Sequence, residues 1–460
     1  MTTTESSAEI ELIAPIQGGQ MLARRAGQVV FLHGGIPGET VVHGNLAAKR
    51  GYLEGGAEAV VRTVPARTEP PCPFFGENTQ RRGSIQAGSW MSGPVCGGCQ
   101  YQHVAYAAQL ELKSQIVREQ MRRVGKIVDA PVQAVQPSPT PYAYRNKAAW
   151  IVTANGELAY HEARSHQPVP IDECLLLTPA LLGIFDCLRA ASPEIGLSGI
   201  VRSIEARSLP GPDGREVGTL ALTYEAGLSN SEATAVAEAL LEVCQTVESI
   251  SGTSVDRAEQ HSHLAGKERI EAAFLDEDMS LSPSTFFQVN LPVATLMARH
   301  VLDHLGTLGK RVVLDVYCGA GTFAVPAARH ADAVIALEID PNAVADLRET
   351  LARVGADNVT ILEGDAGTGL RSLLPGTIDC AVIDPPRSGC SPLVLRQLAR
   401  IKIPRLVYVS CDPSTLARDL RFLLDQGFLL DSVVPYDLFP QTAHIECIAT
   451  LRLPKRFQAR

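Results

Sequence analysis

The sequence predicts a multidomain α/β protein. It has a small N-terminal β-barrel of the oligonucleotide-binding kind, an α+β central domain with a cysteine cluster, and a doubly wound, Rossmann-like C-terminal domain. Three observations predict this. Residues 8–65 hold short apolar runs such as QVVFLHG and AEAVVRTV, separated by Gly-Gly, Pro-Gly and Gly-Asn turn signals. Residues 142–285 mix strand-like runs (AAWIVTAN, GELAYHEA, TLALTYEA) with helix-like ones (LLGIFDCLRAA, SEATAVAEALLEVCQTV) and show no internal repeat. From about Asn290, apolar strands alternate with amphipathic helices and each strand ends in a polar loop. At 460 residues and 45% hydrophobic content the chain can bury several cores. The expected domains are 1–67, 68–285 and 286–460.

The barrel ends in the stretch VPARTEPPCP. A helix is expected over roughly Ala105–Val124, with Tyr106, Leu110, Ile116, Val117 and Met121 on an apolar face and Lys113, Arg118, Arg122 and Arg123 on a basic one. No apolar run is long enough to cross a bilayer, and the start lacks a basic segment followed by an apolar one. The expected location is the cytoplasm, and a monomer is expected. Net charge is −9. Residues 1–150 carry 15 Lys and Arg against 11 Asp and Glu, so the front end is positive and the remainder strongly negative. That asymmetry suits a polyanion-facing front end.

Between Cys72 and His103 lie a lone Cys72, a Gly/Ser-rich spacer around Gly83–Gly93, and the tight C-G-G-C of Cys96 and Cys99. In a reducing compartment a disulfide framework is the weak reading, which leaves a metal or cluster site. Cys187, Cys244, Cys380 and Cys447 sit in apolar patterns and read as core thiols. Cys318 and Cys390 flank the loops discussed next.

L-D-V-Y-C-G-A-G-T-F puts Asp315 at a strand end and Gly319 and Gly321 in the following turn, where backbone can approach a ligand. Glu338 ends the next strand and can bond ribose hydroxyls. A dinucleotide turn wants a third glycine, but Ala324 stands there, and an acid precedes the glycines. This fits S-adenosylmethionine and a class I methyltransferase domain. Asp365 ends the third strand, where adenine is expected, and Asp384 ends the fourth in IDPPRSG. That loop resembles the one amino-group methyltransferases use, with Arg387 where those have an aromatic.

VSCDPSTLARD places Cys411 at the ligand end of a strand, before a helix start that favours a thiolate. Methylating carbon-5 of a pyrimidine needs a thiolate adding to carbon-6 and a separate base to remove the carbon-5 proton. FPQTAHIECIATLRL offers His444 and Glu446. A carboxylate in so apolar a strand is costly unless used or paired, and burial raises its pKa as a base requires.

These motifs together resemble the bacterial RNA uracil-5-methyltransferases, which make 5-methyluridine in ribosomal or transfer RNA. The resemblance covers the chain: GGQMLARRAGQVVFLHGGIPGETV resembles a TRAM domain, and CGGCQYQHVAYAAQLELK, SPSTFFQVN, LDVYCGAGTF, DPPRSG, VSCDPSTLARD and FPQTAHIE follow in family order. It implies that Gln288, Tyr317, Gly319, Gly321, Thr322, Glu338, Asp365 and Asp384 contact S-adenosylmethionine or border the base. Thr322 stands where many members have Asn. Cys411 would be the nucleophile and Glu446 the base, Phe286 would lie near the flipped uracil, and Arg145 and Lys147 would touch RNA. Cys72, Cys96, Cys99 and Cys174 would hold a 4Fe-4S cluster, with zinc the chemical alternative, across a spacer longer than the family's. The implied substrate is 23S ribosomal RNA, with transfer RNA open. An amino-group RNA methyltransferase and a non-catalytic RNA-binding factor are the rival readings.

Overall fold

A computed structural model describes residues 9–76, 95–257, 261–306 and 311–455. The spacer Gly83–Gly93 lies outside the described residues. The chain divides into two compact units, one of Met1–Ile116, Ala159–Leu175 and Phe439–His444, the other of Val117–Leu158, Leu176–Leu438 and Ile445–Arg460.

The first unit is built on the expected barrel. Its strands are Glu9–Pro15, Met21–Arg25, Gln28–His33, Thr40–His43, Ala47–Lys49 and Tyr52–Arg62. Parallel pairing of Gln28–His33 with Tyr52–Arg62 closes it, leaving the short strand Ala47–Lys49 at an edge. Strict alternation sends Ile10, Leu12, Met21, Ala23, Val30 and Leu32 inward, each almost without solvent exposure. Each large side chain so buried contributes about 1.5–3 kcal/mol. Tyr101, Val104 and Leu112 from the segment after Cys99 complete this core.

The helix predicted after the cysteines runs Tyr106–Arg123. Its apolar face is buried as expected, with Ile116, Val117 and Met121 inside. The basic face is corrected at one position. Lys113 is fully buried, and its Nζ donates to the Phe439 carbonyl at 3.1 Å. A buried ammonium needs such partners.

In the second unit, the strands Lys147–Val152, Val201–Pro210, Glu216–Tyr224, Val247–Ser254 and Ser262–Gly266 form the central sheet. Helices Pro179–Ile195 and Asn230–Val243 pack on it. The second helix opens with a capping box, Ser229 and Glu232 satisfying each other's amides. It ends at Val243, before the expected QTV, because Val247 already starts a strand. Cys187 and Cys244 are joined by a disulfide rather than being free core thiols. The helices pack side by side and bring their Cα atoms to 5.8 Å. Cys380 and Cys447 are buried as expected.

The C-terminal sheet has seven strands, in the order Val359–Glu363, Ala333–Glu338, Val312–Val316, Cys380–Ile383, Arg405–Ser410, Glu446–Arg452, Leu429–Tyr436. The first five are parallel and the final hairpin is antiparallel. Strand order reverses beside Val312–Val316, and ligands bind at the carboxyl ends of strands near such a reversal. No helix among the described residues is long and apolar enough to cross a membrane.

Candidate active site

The turn after Val312–Val316 is held in an unusual backbone shape. Tyr317 adopts φ +66°, a left-handed conformation costly for a tyrosine, and Gly319 and Gly321 follow at +54° and +98°. The Tyr317 and Cys318 amides bond the Leu337 carbonyl at 2.9 and 3.0 Å. A Cβ on Gly321 would stand 2.6 Å from Leu347 and Val325, so packing as well as φ demands glycine there. Glu338 braces the same turn. Its Oε2 accepts from the Gly319 amide at 2.8 Å, and its Oε1 from the Ile339 and Asp340 amides at 2.8 and 2.9 Å. Each carboxylate oxygen has two lone-pair positions, so Oε2 keeps one for a ribose hydroxyl.

Asp315 is fully buried, and neither oxygen makes a hydrogen bond, although the Ala324 amide lies close. Burial first, then the charges of Asp384 and Glu338, hold its carboxyl well above the usual range. Asp365 is exposed and caps helix Ala366–Arg371, its Oδ1 accepting from the Thr368 amide at 2.9 Å and hydroxyl at 3.0 Å. Thr322 is half-buried in the turn.

The loop Ser282–Asn290 carries Phe286 and Gln288. Phe286 is 66% exposed although its neighbour Phe287 is buried. Two residues that no motif singled out hold this loop. Asp346 accepts from the Ser282 amide and hydroxyl at 2.8 and 2.9 Å. Asn146 donates to the Gln288 carbonyl at 2.9 Å. Asn146 lies between Arg145 and Lys147, the two residues expected to touch RNA, and Asp346 gave no sequence signal beyond a charge on a helix. Lys147 forms an ion pair with Glu205 at 2.7 Å and lies 6.0 Å from the Phe286 ring centre. Arg145, half-buried, lies two residues before strand Lys147–Val152.

Cys411 follows strand Arg405–Ser410, whose antiparallel partner pairs Cys447 with Ser410. One step further along, that register sets Glu446 level with Cys411. Asp384 ends the neighbouring strand Cys380–Ile383. Glu446 is buried, and burial and Asp384 hold its carboxyl well above the usual range. Burial pushes Asp384 up to about 7. The Cys411 thiol is pushed up to about 12 by burial, then by Glu446, Asp384 and Asp412. The sequence expectation of a thiolate favoured by the helix start is therefore corrected. Asp412 is the N-cap, accepting from the Ser414 and Thr415 amides at 3.0 Å, and it consumes the helix end that Cys411 would have used. The pocket collects carboxyl groups and holds their protons. An arriving cation would relieve that repulsion.

Cys72, Cys96, Cys99 and Cys174 are all unbridged and lie in the first unit. Burial, and then the charges of Cys174, Cys96 and Cys72, push the Cys99 thiol up. The four therefore lie within electrostatic reach of one another. Among the described residues, however, no group of three or more His, Cys, Asp or Glu is arranged to hold a metal ion. The donor set fits a thiolate-bound group in chemistry, but among the described residues it is not assembled into a ligand shell. His444 is exposed, with its ring 5.4 Å from that of Phe439.

A family profile described as tRNA (Uracil-5-)-methyltransferase matches residues 370–453, which span Asp384, Cys411 and Glu446. A general methyltransferase-domain profile matches residues 313–392. A Gloeobacter violaceus protein described as an uncharacterized RNA methyltransferase is 34% identical over 96% of this chain and 95% of its own length. The chain belongs to the RNA uracil-5-methyltransferase family. A Halalkalibacterium halodurans relative with the same description is 31% identical over 95% of this chain and 94% of its own. The fold matches the crystal structure of Pyrococcus abyssi tRNA (uracil-54, C5)-methyltransferase in complex with S-adenosyl-L-homocysteine, with a TM-score of 0.71 and 22% identity, covering 96% of this chain and 100% of that one. The protein is an S-adenosylmethionine-dependent RNA methyltransferase.

Proposed function

We propose that this enzyme methylates carbon-5 of one uridine in 23S ribosomal RNA through a covalent adduct on Cys411. The register that sets Cys411 level with Glu446, beside Asp384, carries the reading. A thiol and a carboxyl on adjacent strands suit a reaction that needs a nucleophile on one ring carbon and a base on the next. S-adenosylmethionine, when bound, supplies an electrophilic methyl group and a positive charge; Glu338, Gln288 and the Tyr317–Gly321 turn would hold it.

Cys411 is protonated at neutral pH, so its proton must leave as the sulfur–carbon-6 bond forms. Asp384, with a pKa near 7, is the acceptor able to take and return it. Carbon-5 then accepts the methyl group. Glu446, ionised while the donor's cation occupies the site, takes the carbon-5 proton, the sulfur–carbon bond breaks, and Cys411 recovers its proton from Asp384. Glu446 releases its proton to water. Phe286, exposed beside Lys147, would stack on the extruded uracil, and Arg145 with the positive front end would hold phosphates.

Cys72, Cys96, Cys99 and Cys174 would hold a 4Fe-4S cluster, a reading supported by four thiols that form no disulfide and feel one another's charge. Iron and sulfide analysis of purified protein tests this, and stoichiometric zinc would replace the cluster. The ribosomal substrate rests on the resemblance to the family's TRAM-domain, cluster-bearing members. A transfer RNA substrate is the second reading, favoured by the profile that matches residues 370–453. The adduct is tested with RNA containing 5-fluorouridine, which has no carbon-5 proton to lose. Wild type should form a denaturation-resistant protein–RNA complex and Cys411→Ala none. An adduct that survives Cys411→Ala would refute the assignment.

A further inference from the structure

Asp419 lies in helix Pro413–Asp425, which begins directly after Cys411 and Asp412, and its side chain is fully buried. Its Oδ2 accepts from the Tyr408 hydroxyl at 2.6 Å and from the Cys390 amide at 2.8 Å. Its Oδ1 accepts from Arg418 Nε at 2.8 Å. Arg418 Nη2 in turn donates to the Ser388 carbonyl at 3.0 Å. Thr415, one turn earlier, donates its hydroxyl to the Arg387 carbonyl at 3.2 Å. The loop that leaves Asp384 is therefore tied along its length to the helix that leaves Cys411.

Packing shows the same closeness. A Cβ on Gly389 would stand 2.5 Å from Arg418 Nη2 and 2.6 Å from Asp419 Oδ2. The buried Cys390 thiol lies close enough to the Tyr408 and Tyr317 hydroxyls for each to influence its proton, so the link extends to the turn expected to hold the methyl donor. A buried carboxylate is costly unless several donors satisfy it, and Asp419 has that set. Tyr408 lies on strand Arg405–Ser410, which also carries Cys411 at its end.

We propose that Asp419 is a positioning residue for methyl transfer: with Tyr408 and Cys390 it fixes the Asp384 loop, the Cys411 loop and the Tyr317 turn in one geometry. Asp419 touches no reacting atom in this account. It acts by setting where Asp384 stands relative to Cys411, and displacements of about 1 Å can cost 100-fold in rate. The inference rests on the assignment of Cys411 as nucleophile.

The test measures kcat and KM for methyl incorporation into RNA, the rate of adduct formation on 5-fluorouridine RNA, and the thermal midpoint. Asp419→Asn keeps the shape and removes the charge. It should lower kcat at least about tenfold and slow adduct formation in parallel, with KM for RNA and donor within about twofold of wild type. Tyr408→Phe and Cys390→Ser leave the carboxylate in place and should show a smaller kcat loss with the same unchanged KM. They decide the matter if Asp419→Asn does not fold. The proposal is overturned if the folded variants keep wild-type kcat and adduct rates, or if kcat falls only in proportion to the folded fraction. Wild-type controls separate the two claims. Failure of wild type to form the adduct refutes the Cys411 reading, whereas a wild-type adduct rate that the variants leave unchanged refutes the role of Asp419.

Discussion

Replacing Asp384 by Asn should make the ligand-free enzyme more stable at neutral and alkaline pH while leaving it unchanged in acid. The folded protein holds the Asp384 proton to about pH 7, whereas an unfolded aspartate releases it near the ordinary value of 3.8. In acid both states are protonated and the carboxyl contributes nothing. As pH rises through that window the unfolded chain loses its proton first, so stability falls, and above about pH 7 the cost is constant. Roughly three pKa units at about 1.4 kcal/mol each give an upper limit near 4 kcal/mol. Residual exposure of Asp384 reduces it. Relief of Asp315 and Glu446, whose carboxyls Asp384 pushes up, adds to the gain. The assay is thermal unfolding of wild type and Asp384→Asn at about pH 5 and about pH 8 without donor. The expected result is a variant midpoint above wild type at both pH values, by a gain of at most about 1.7 kcal/mol at about pH 5 and about 4 kcal/mol at about pH 8, with wild type itself more stable at the lower pH. A wild type that gains stability from pH 5 to 8, together with a variant that tracks it, would refute the picture of a proton-holding acidic pocket. In the same assay S-adenosylmethionine should raise the wild-type midpoint more than neutral S-adenosylhomocysteine at equal free concentration, because only the former brings a cation and so binds the acidic pocket more tightly.

Phe286→Ala should raise KM for RNA several-fold with an unchanged thermal midpoint, because the ring is 66% exposed and packs into no core; lost stability with unchanged KM would contradict its role at the base. Asp365→Ala removes a helix cap worth about 1 kcal/mol. If Asp365 also meets the adenine, calorimetry should show weaker donor binding well below the melting range, and unchanged affinity would leave it a cap alone. Cys187→Ser under oxidising conditions, or addition of reductant to wild type, should lower the midpoint. The bridge closes a loop of 57 residues, which corresponds to about 4 kcal/mol of unfolded-chain entropy. A midpoint insensitive to reductant would show that the two thiols do not pair in solution.

What was legible in the sequence was mostly local. Alternation in residues 9–62 and turn glycines specified the barrel, and the strand-then-loop rhythm after Asn290 specified the doubly wound sheet. The Cys411 loop and the Glu446 strand were readable because an acid in so apolar a strand demands a reason. The pairing that sets them level was not readable, because register depends on which strands meet across the sheet. The same limit hid the protonation of Cys411: a helix start was visible, but its capture by Asp412 and the gathering of Glu446 and Asp384 around the thiol were not. Lys113 was assigned to a solvated face by its residue type, while its burial depends on a carbonyl at Phe439, 326 positions away. Cys187 and Cys244 sat in apolar patterns that describe a core thiol and a buried bridge equally well. Asp346 carried no motif, and Asp419 closes the VSCDPSTLARD motif without a role readable there, since each matters through loops distant in sequence.

Tritium release tests the central claim most directly. Wild-type enzyme, S-adenosylmethionine and transcripts of 23S ribosomal RNA or transfer RNA labelled with tritium at carbon-5 of uridine would be incubated in parallel, and tritium counted in water. The account predicts release matching methyl incorporation from the 23S transcript and none from Cys411→Ala. Release from the transfer RNA transcript alone would keep the carbon-5 chemistry and overturn the substrate. Methyl incorporation without any tritium release would contradict the roles given to Cys411 and Glu446 and restore the amino-group reading.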